Sequence, residues 1–160
     1  MGDIVSPSVR SRMMQGIRGR DTTPECALRS LLFRSGFRFR LHRRDLPGRP
    51  DIVLPKHQAA IFVHGCFWHR HSGCSRATTP STNYEFWQVK FSANIARDER
   101  NLAALRQLGW RIAVVWECAL RGQQAITTAR AVSRWLQRGD KMLELPSPQG
   151  RQTTSAFPNE

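Results

Sequence analysis

The sequence of 160 residues has no apolar run long enough to cross a bilayer. Its first 20 residues carry Arg10, Arg12, Arg18 and Arg20 and lack the apolar core of a secretory signal. Both absences point to a cytoplasmic protein and set a membrane partner aside. Acidic residues are scarce, 12 against 25 basic ones, for a formal charge of +13. Lysine is scarcer still: only Lys56, Lys90 and Lys141 are present, leaving 22 of the 25 as arginine. The planar guanidinium fork suits phosphates and base edges better than an ammonium does, so nucleic acid is the first partner to consider. These arginines are spread through predicted strands, loops and helices. A membrane-surface protein would line them along one amphipathic helix instead. The length supports one domain with a real core and no second ordinary domain, and no internal repeat is visible.

Read in order, residues 1–20 form a basic segment with Val9, Met13, Met14 and Ile17 at roughly helical spacing. Thr22-Thr23-Pro24-Glu25 predicts a helix start: a capping hydroxyl, an early proline and an acid three residues after Thr22. Leu28, Leu31 and Leu32 give that helix an apolar face before Gly36. Phe37, Phe39 and Leu41 alternate with Arg38, Arg40 and His42, the period of a half-buried strand. Residues 52–54 and 59–63 are short, rich in β-branched or aromatic side chains and bounded by Gly and Pro, so they read as neighbouring strands. A polar loop over 75–83 leads to a long helix over 84–108 with inner stripe Ile95, Leu102 and Leu105 and Gly109 as its stop. The run over 111–116 predicts a strand covered on both faces, which delivers Glu117 and Cys118 at its end. A last helix fits 123–138, and the Pro-, Ser-, Gln- and Thr-rich stretch over 141–160 reads as a disordered tail. The expected fold is α/β, a small mixed β-sheet flanked by helices, with its domain over 21–140 and ligands at strand ends.

Cys66, His71, Cys74 and Cys118 form C-x4-H-x2-C followed by a distant fourth Cys. Three clustered ligands and one remote one are how a structural zinc ties a loop to a strand end, and three thiolates with one imidazole close the coordination sphere. Three of the four cysteines lie in this His-containing pattern, which suits a metal in a reducing compartment better than two disulfides. His69 is an alternative to His71 as the nitrogen ligand, and Cys26 has no local partner.

Asp51, after Pro50 and just ahead of a predicted strand, has the setting of a carboxylate that holds Mg²⁺ at a scissile phosphate. Such sites ordinarily add an acid-x-Lys pair on the next strand, and here Phe62-Val63-His64 occupies that place. Taken together, Gly48-Arg-Pro-Asp51, His64-Gly-Cys-Phe-Trp-His69, Glu85-Phe-Trp87, Gly109-Trp-Arg and Val115-Trp-Glu-Cys-Ala-Leu-Arg121 resemble the very-short-patch repair (Vsr) mismatch endonucleases. The resemblance spans roughly residues 8–125.

That resemblance implies a restriction-endonuclease-like fold and an enzyme that nicks 5′ of the mispaired T in a T·G mismatch, the product of 5-methylcytosine deamination. It implies Mg²⁺ held by Asp51 and by the backbone carbonyl of Val63, where the family commonly has Thr. His69 then matches the general base, and His64 and Glu25 match residues that bind metal-bound waters or the phosphate. Phe67, Trp68 and Trp87 match intercalating aromatics, with Phe86 as the better core residue, and the segment over 1–20 matches a DNA clamp. The implied partners are mismatched duplex DNA, mismatch-repair proteins and a DNA polymerase acting at the nick, with the enzyme itself a monomer. Two rivals remain at this point: a site-specific restriction endonuclease on the same fold, and a zinc-stabilised DNA-binding module without catalysis.

Overall fold

The computed structural model describes residues 19–148 together with Ser8. The expected helix around 9–17 and the stretch over 149–160 lie outside the described residues. Helix α1 (Thr23–Arg34) begins where the capping signal placed it: Thr22 Oγ1 accepts from the Glu25 N–H, and Pro24 sits in the first turn. It is followed by β1 (Arg40–Leu41), β2 (Ile52–Leu54), a 3₁₀ turn (Pro55–His57) and β3 (Ala59–His64). Helix α2 (Tyr84–Gln107), β4 (Arg111–Trp116), a second 3₁₀ turn (Glu117–Leu120), α3 (Gln124–Gln137) and β5 (Met142–Leu145) complete the order.

The five strands make one mixed sheet in sequence order, antiparallel from β1 to β3 and parallel from β3 to β5. Period-two alternation divides their side chains between two cores. Ile52, Leu54, Ala59, Ile61, Ala113 and Val115 pack with Leu28 and Leu32 of α1 and Val132, Trp135 and Leu136 of α3. Val53, Ala60, Phe62, Ile112, Val114 and Trp116 turn to the other face and pack with Leu105 of α2. Both faces of the central strands are therefore covered, which is why β4 reads as one continuous apolar run.

Four expectations are corrected. The strand expected over 37–42 is only Arg40–Leu41, because ladder pairing starts at Arg40 opposite Val53; Phe37 is buried ahead of it, while Leu41 is exposed. Residues 142–145, assigned to the tail, form β5, held by parallel pairing to β4 and by the Trp116 indole N–H donating to Glu144 at 2.9 Å. Four residues broken by Glu144 carry too little periodicity to announce an edge strand. Ile95 is exposed, and the inner face of α2 is carried by Trp87, Phe91 and Leu105. Phe86 is also exposed, at 59 %, whereas Trp87 is 7 % exposed, the reverse of the expected assignment.

Candidate active site

Because β2 and β3 are antiparallel, Asp51 at the entry to β2 lies beside the exit of β3. Its Oδ2 accepts from the Val63 N–H at 2.7 Å. On the other side the His42 N–H donates to the Asp51 carbonyl at 3.2 Å. The turn leading in needs Gly48: its φ is +75°, and a Cβ there would lie 3.0 Å from Asn101 Cβ and 3.1 Å from the Phe62 ring. These strand ends floor an open cavity of about 840 Å³ that Asp51, Glu25, His64, His69 and Asp98 all line.

Glu25 enters from the first turn of α1 and is 3 % exposed. Its carboxylate accepts from the Asp21 N–H at 3.0 Å and from the Thr22 hydroxyl at 3.3 Å, so the cap that starts the helix also fixes this side chain. Burial, and then the charge of Glu25, push the Asp51 carboxyl from the usual range up to about 7. His42 lies between these acids, with Nε2 3.6 Å from Glu25 Oε2 and Nδ1 3.8 Å from Asp51 Oδ1.

His64 and His69 stack with ring centroids 3.9 Å apart and planes within 6°. Burial first, and the neighbouring His69 second, pull His64 down to about 3, so it is a neutral ring at physiological pH. His69 Nδ1 lies 2.6 Å from Asp98 Oδ2 of α2. A carboxylate at that nitrogen selects the Nδ1–H tautomer and leaves the lone pair on Nε2, the arrangement of a ring ready to accept a proton. Sequence reading missed both Asp98 and His42. Asp98 sits in a charged stretch of α2 that looks like a solvated helix face, and His42 looks like the outer face of a strand.

The segment between β3 and α2 gathers two further groups. The sulfurs of Cys66, Cys74 and Cys118 and a ring nitrogen of His71 lie within 4.8 Å of one another. His71 Nδ1 is 3.6 Å from Cys66 Sγ and 3.5 Å from Cys118 Sγ, and its ring stacks on Trp116 at 4.3 Å. Burial pushes the Cys66 thiol up to about 12 and also raises Cys118. His69, the alternative ligand, is turned to Asp98 instead, and Cys26 stays on α1 beside the Asp21 carbonyl.

Phe67, Trp68, Trp87 and Phe91 form an aromatic cluster that meets the cavity at Trp68, with centroid separations of 5.0 Å for Phe67–Trp68 and 5.5 Å for Phe67–Trp87. Phe67 and Trp68 are partly exposed, Trp68 lines the cavity, and the Lys90 ammonium sits 5.6 Å from its ring.

A family profile described as DNA mismatch endonuclease Vsr matches residues 2–76. A type II nicking enzyme, V.XorIIP of Xanthomonas oryzae pv. oryzae, is 53 % identical over 120 residues, covering 75 % of this chain and 88 % of that one. The DNA mismatch endonuclease Vsr of Escherichia coli is 44 % identical over 134 residues, 84 % of this chain and 85 % of its own length. The chain belongs to the Vsr family of DNA mismatch endonucleases. It is a DNA endonuclease. A third relative, the type II nicking enzyme V.NmeAIP of Neisseria meningitidis, is 42 % identical over 123 residues, 77 % of this chain and 87 % of that one. In this Vsr-family enzyme the fold brings Asp51, Glu25, His64 and His69 to one cavity and Cys66, His71, Cys74 and Cys118 to one cluster, linked in the chain by the segment that follows β3. Among the described residues no helix is long and apolar enough to cross a membrane.

Proposed function

We propose that this endonuclease nicks one DNA strand 5′ of the mispaired T in a T·G mismatch, that it requires Mg²⁺, and that its sheet is a restriction-endonuclease-like core. The observation that carries the reading is the meeting of Asp51, Glu25, His64 and the His69–Asp98 pair on one open cavity that is also lined by Trp68, a partly exposed ring packed on Phe67. The relatives bear the names of a mismatch endonuclease and of nicking enzymes, which supports single-strand cleavage.

The donor set fits a hard divalent cation. Two buried or nearly buried carboxylates share the cavity, and among the described residues neither Arg nor Lys is ion-paired to Asp51. The Asp51 carboxylate and the Val63 carbonyl would hold Mg²⁺, which when bound polarises the scissile phosphate and neutralises developing charge. Since a carbonyl is the ligand, Val63 serves in place of the family's Thr. His69 Nε2 takes the proton of the attacking water, and Asp98 stabilises the imidazolium that results. Neutral His64 and buried Glu25 orient waters and phosphate. Cys66, His71, Cys74 and Cys118 supply the N/S donor set of a closed structural zinc site, and ligation would take the protons that burial keeps on the Cys66 and Cys118 thiols. Phe67 and Trp68, backed by Trp87, enter the base stack beside the mismatch, where a weakly paired step lowers the cost of unstacking.

The test is strand cleavage of matched and T·G duplexes with and without Mg²⁺, for the native enzyme and Asp51→Asn. The reading expects one nick, in the T strand, that needs both Mg²⁺ and Asp51, with DNA affinity retained in the variant. Cleavage of both strands of matched DNA would replace it with a site-specific restriction enzyme. Mg²⁺-dependent nicking by Asp51→Asn would remove Asp51 from the metal site.

A further inference from the structure

Arg70 lies between the cavity residue His69 and His71 of the Cys/His cluster, in a left-handed backbone conformation with φ +57°. Its side chain does not reach out for phosphate. One terminal nitrogen donates to the Thr78 carbonyl at 2.9 Å and to the Phe67 carbonyl at 3.3 Å. The other donates to the Ala77 carbonyl at 2.9 Å and to Thr79 Oγ1 at 3.0 Å. The guanidinium plane also covers the Phe91 ring, with Cζ 4.0 Å from the centroid, and Phe91 is the ring on which Phe67 packs edge-on at 5.3 Å. Residues 75–83 contain no helix or strand. Over 77–79 these Arg70 bonds tie the loop to the rest of the protein, together with the Ala77 N–H, which is bonded to Cys74.

We propose that Arg70 is a positioning residue for mismatch recognition, clamping the 77–79 loop to the Phe67 backbone and the Phe91 ring so that Phe67 and Trp68 are held in one orientation where the cluster meets the cavity. This rests on the reading of those aromatics as the wedge. Four bonds engage both terminal nitrogens and the Phe91 ring lies under the guanidinium plane, and a lysine has neither the fork nor the plane to replace it. An orienting clamp acts on discrimination, because a wedge free to rotate contacts a mispaired and a paired step alike. A phosphate contact would act on affinity for all DNA equally.

The experiment compares Arg70→Ala, Arg70→Lys, Thr79→Val and Trp68→Ala for single-turnover nicking of T·G and T·A duplexes, for the salt dependence of binding to an unrelated duplex, and for thermal melting. For Arg70→Ala the ratio of T·G to T·A nicking should fall roughly ten- to a hundredfold, the scale on which a misplaced positioning group acts. The slope of log affinity against log salt should stay unchanged. Arg70→Lys should recover little of the ratio, and Thr79→Val should lower it by a smaller factor with native melting, which keeps the test intact if Arg70→Ala does not fold. A native ratio in Arg70→Lys or in Thr79→Val overturns the clamp, and so does a salt slope reduced by about one with the ratio intact, the mark of a lost phosphate contact. Loss of the ratio in Trp68→Ala with a native ratio in Arg70→Ala overturns the clamp alone. A native ratio in Trp68→Ala overturns the wedge reading beneath it.

Discussion

Asp98 is 29 residues from His69 in the chain and 2.6 Å from it in space. A carboxylate there accepts from Nδ1–H; an amide can equally present its NH₂, which would invite the opposite tautomer and bury the lone pair that a base needs. Asp98→Asn should therefore slow single-turnover nicking while leaving DNA affinity near native. The loss should be smaller than that for His69→Ala, where a general-base contribution of about 10²–10⁴ is at stake. Equal rates for Asp98→Asn and the native enzyme would show that the ring is oriented by its stacking on His64 instead. At this scale Arg111 shows how a side chain that looks like one more surface cation becomes internal. Its guanidinium donates to the carbonyls of Leu136, Trp135 and Arg138 at the end of α3 and lies 4.5 Å from the Trp135 ring centroid. It closes the last turn of α3, adding side-chain donors to the bonds that the Arg138 N–H makes to the Arg134 and Trp135 carbonyls.

Among elements, the segment from His64 to Cys74 holds the most chemistry with the least regular structure. It is fastened at both ends: the Cys66 N–H donates to Glu117 Oε1 at 3.1 Å, and Cys118, in the 3₁₀ turn after β4, faces His71. On the proposed zinc assignment, Cys118→Ala opens the clamp from the strand side and leaves Asp51 and His69 in place. Purified variant should hold less than one zinc per chain by metal analysis. Its melting midpoint should drop by roughly 5–10 °C, given about 2–4 °C per kcal/mol for a chain of this size and a loss of about 2–3 kcal/mol. Nicking per folded molecule at low temperature should be reduced far less than in Asp51→Asn. Native melting and full activity without zinc would make the cluster a set of packed thiols.

On the proposed function, the whole molecule's charge of +13 and the aromatic cluster divide the work of binding DNA. Arginine–phosphate contacts release counterions and are blind to sequence, so they set affinity and its salt dependence. Base discrimination falls to deformation of the stack. Raising salt from 50 to 200 mM should weaken binding to any duplex steeply, by about 10³–10⁵ if 6–10 phosphates are contacted. The T·G to T·A nicking ratio under single-turnover saturation should change little over the same range. A ratio that collapses with salt would place specificity in the basic surface.

The α1 cap, the central strands and the stop of α2 at Gly109 were legible in the sequence because each rests on local chemistry: a hydroxyl for orphan N–H groups, β-branched runs, a residue free to take φ +83°. The Cys/His pattern was legible for the same reason, since three of its four members fall within nine residues. The sequence by itself thus determined an α/β chain with a clustered Cys/His pattern, an acid before a strand and a strongly basic composition. Only the tertiary structure decided that Trp87 turns inward and Phe86 outward, since adjacent helix positions differ only in which side meets the sheet. Tertiary structure likewise paired Asp98 with His69, made β5 an edge strand against β4, and turned Arg70 and Arg111 inward. Those contacts join residues far apart in the chain or depend on which carbonyls lack donors, and neither is written in local periodicity.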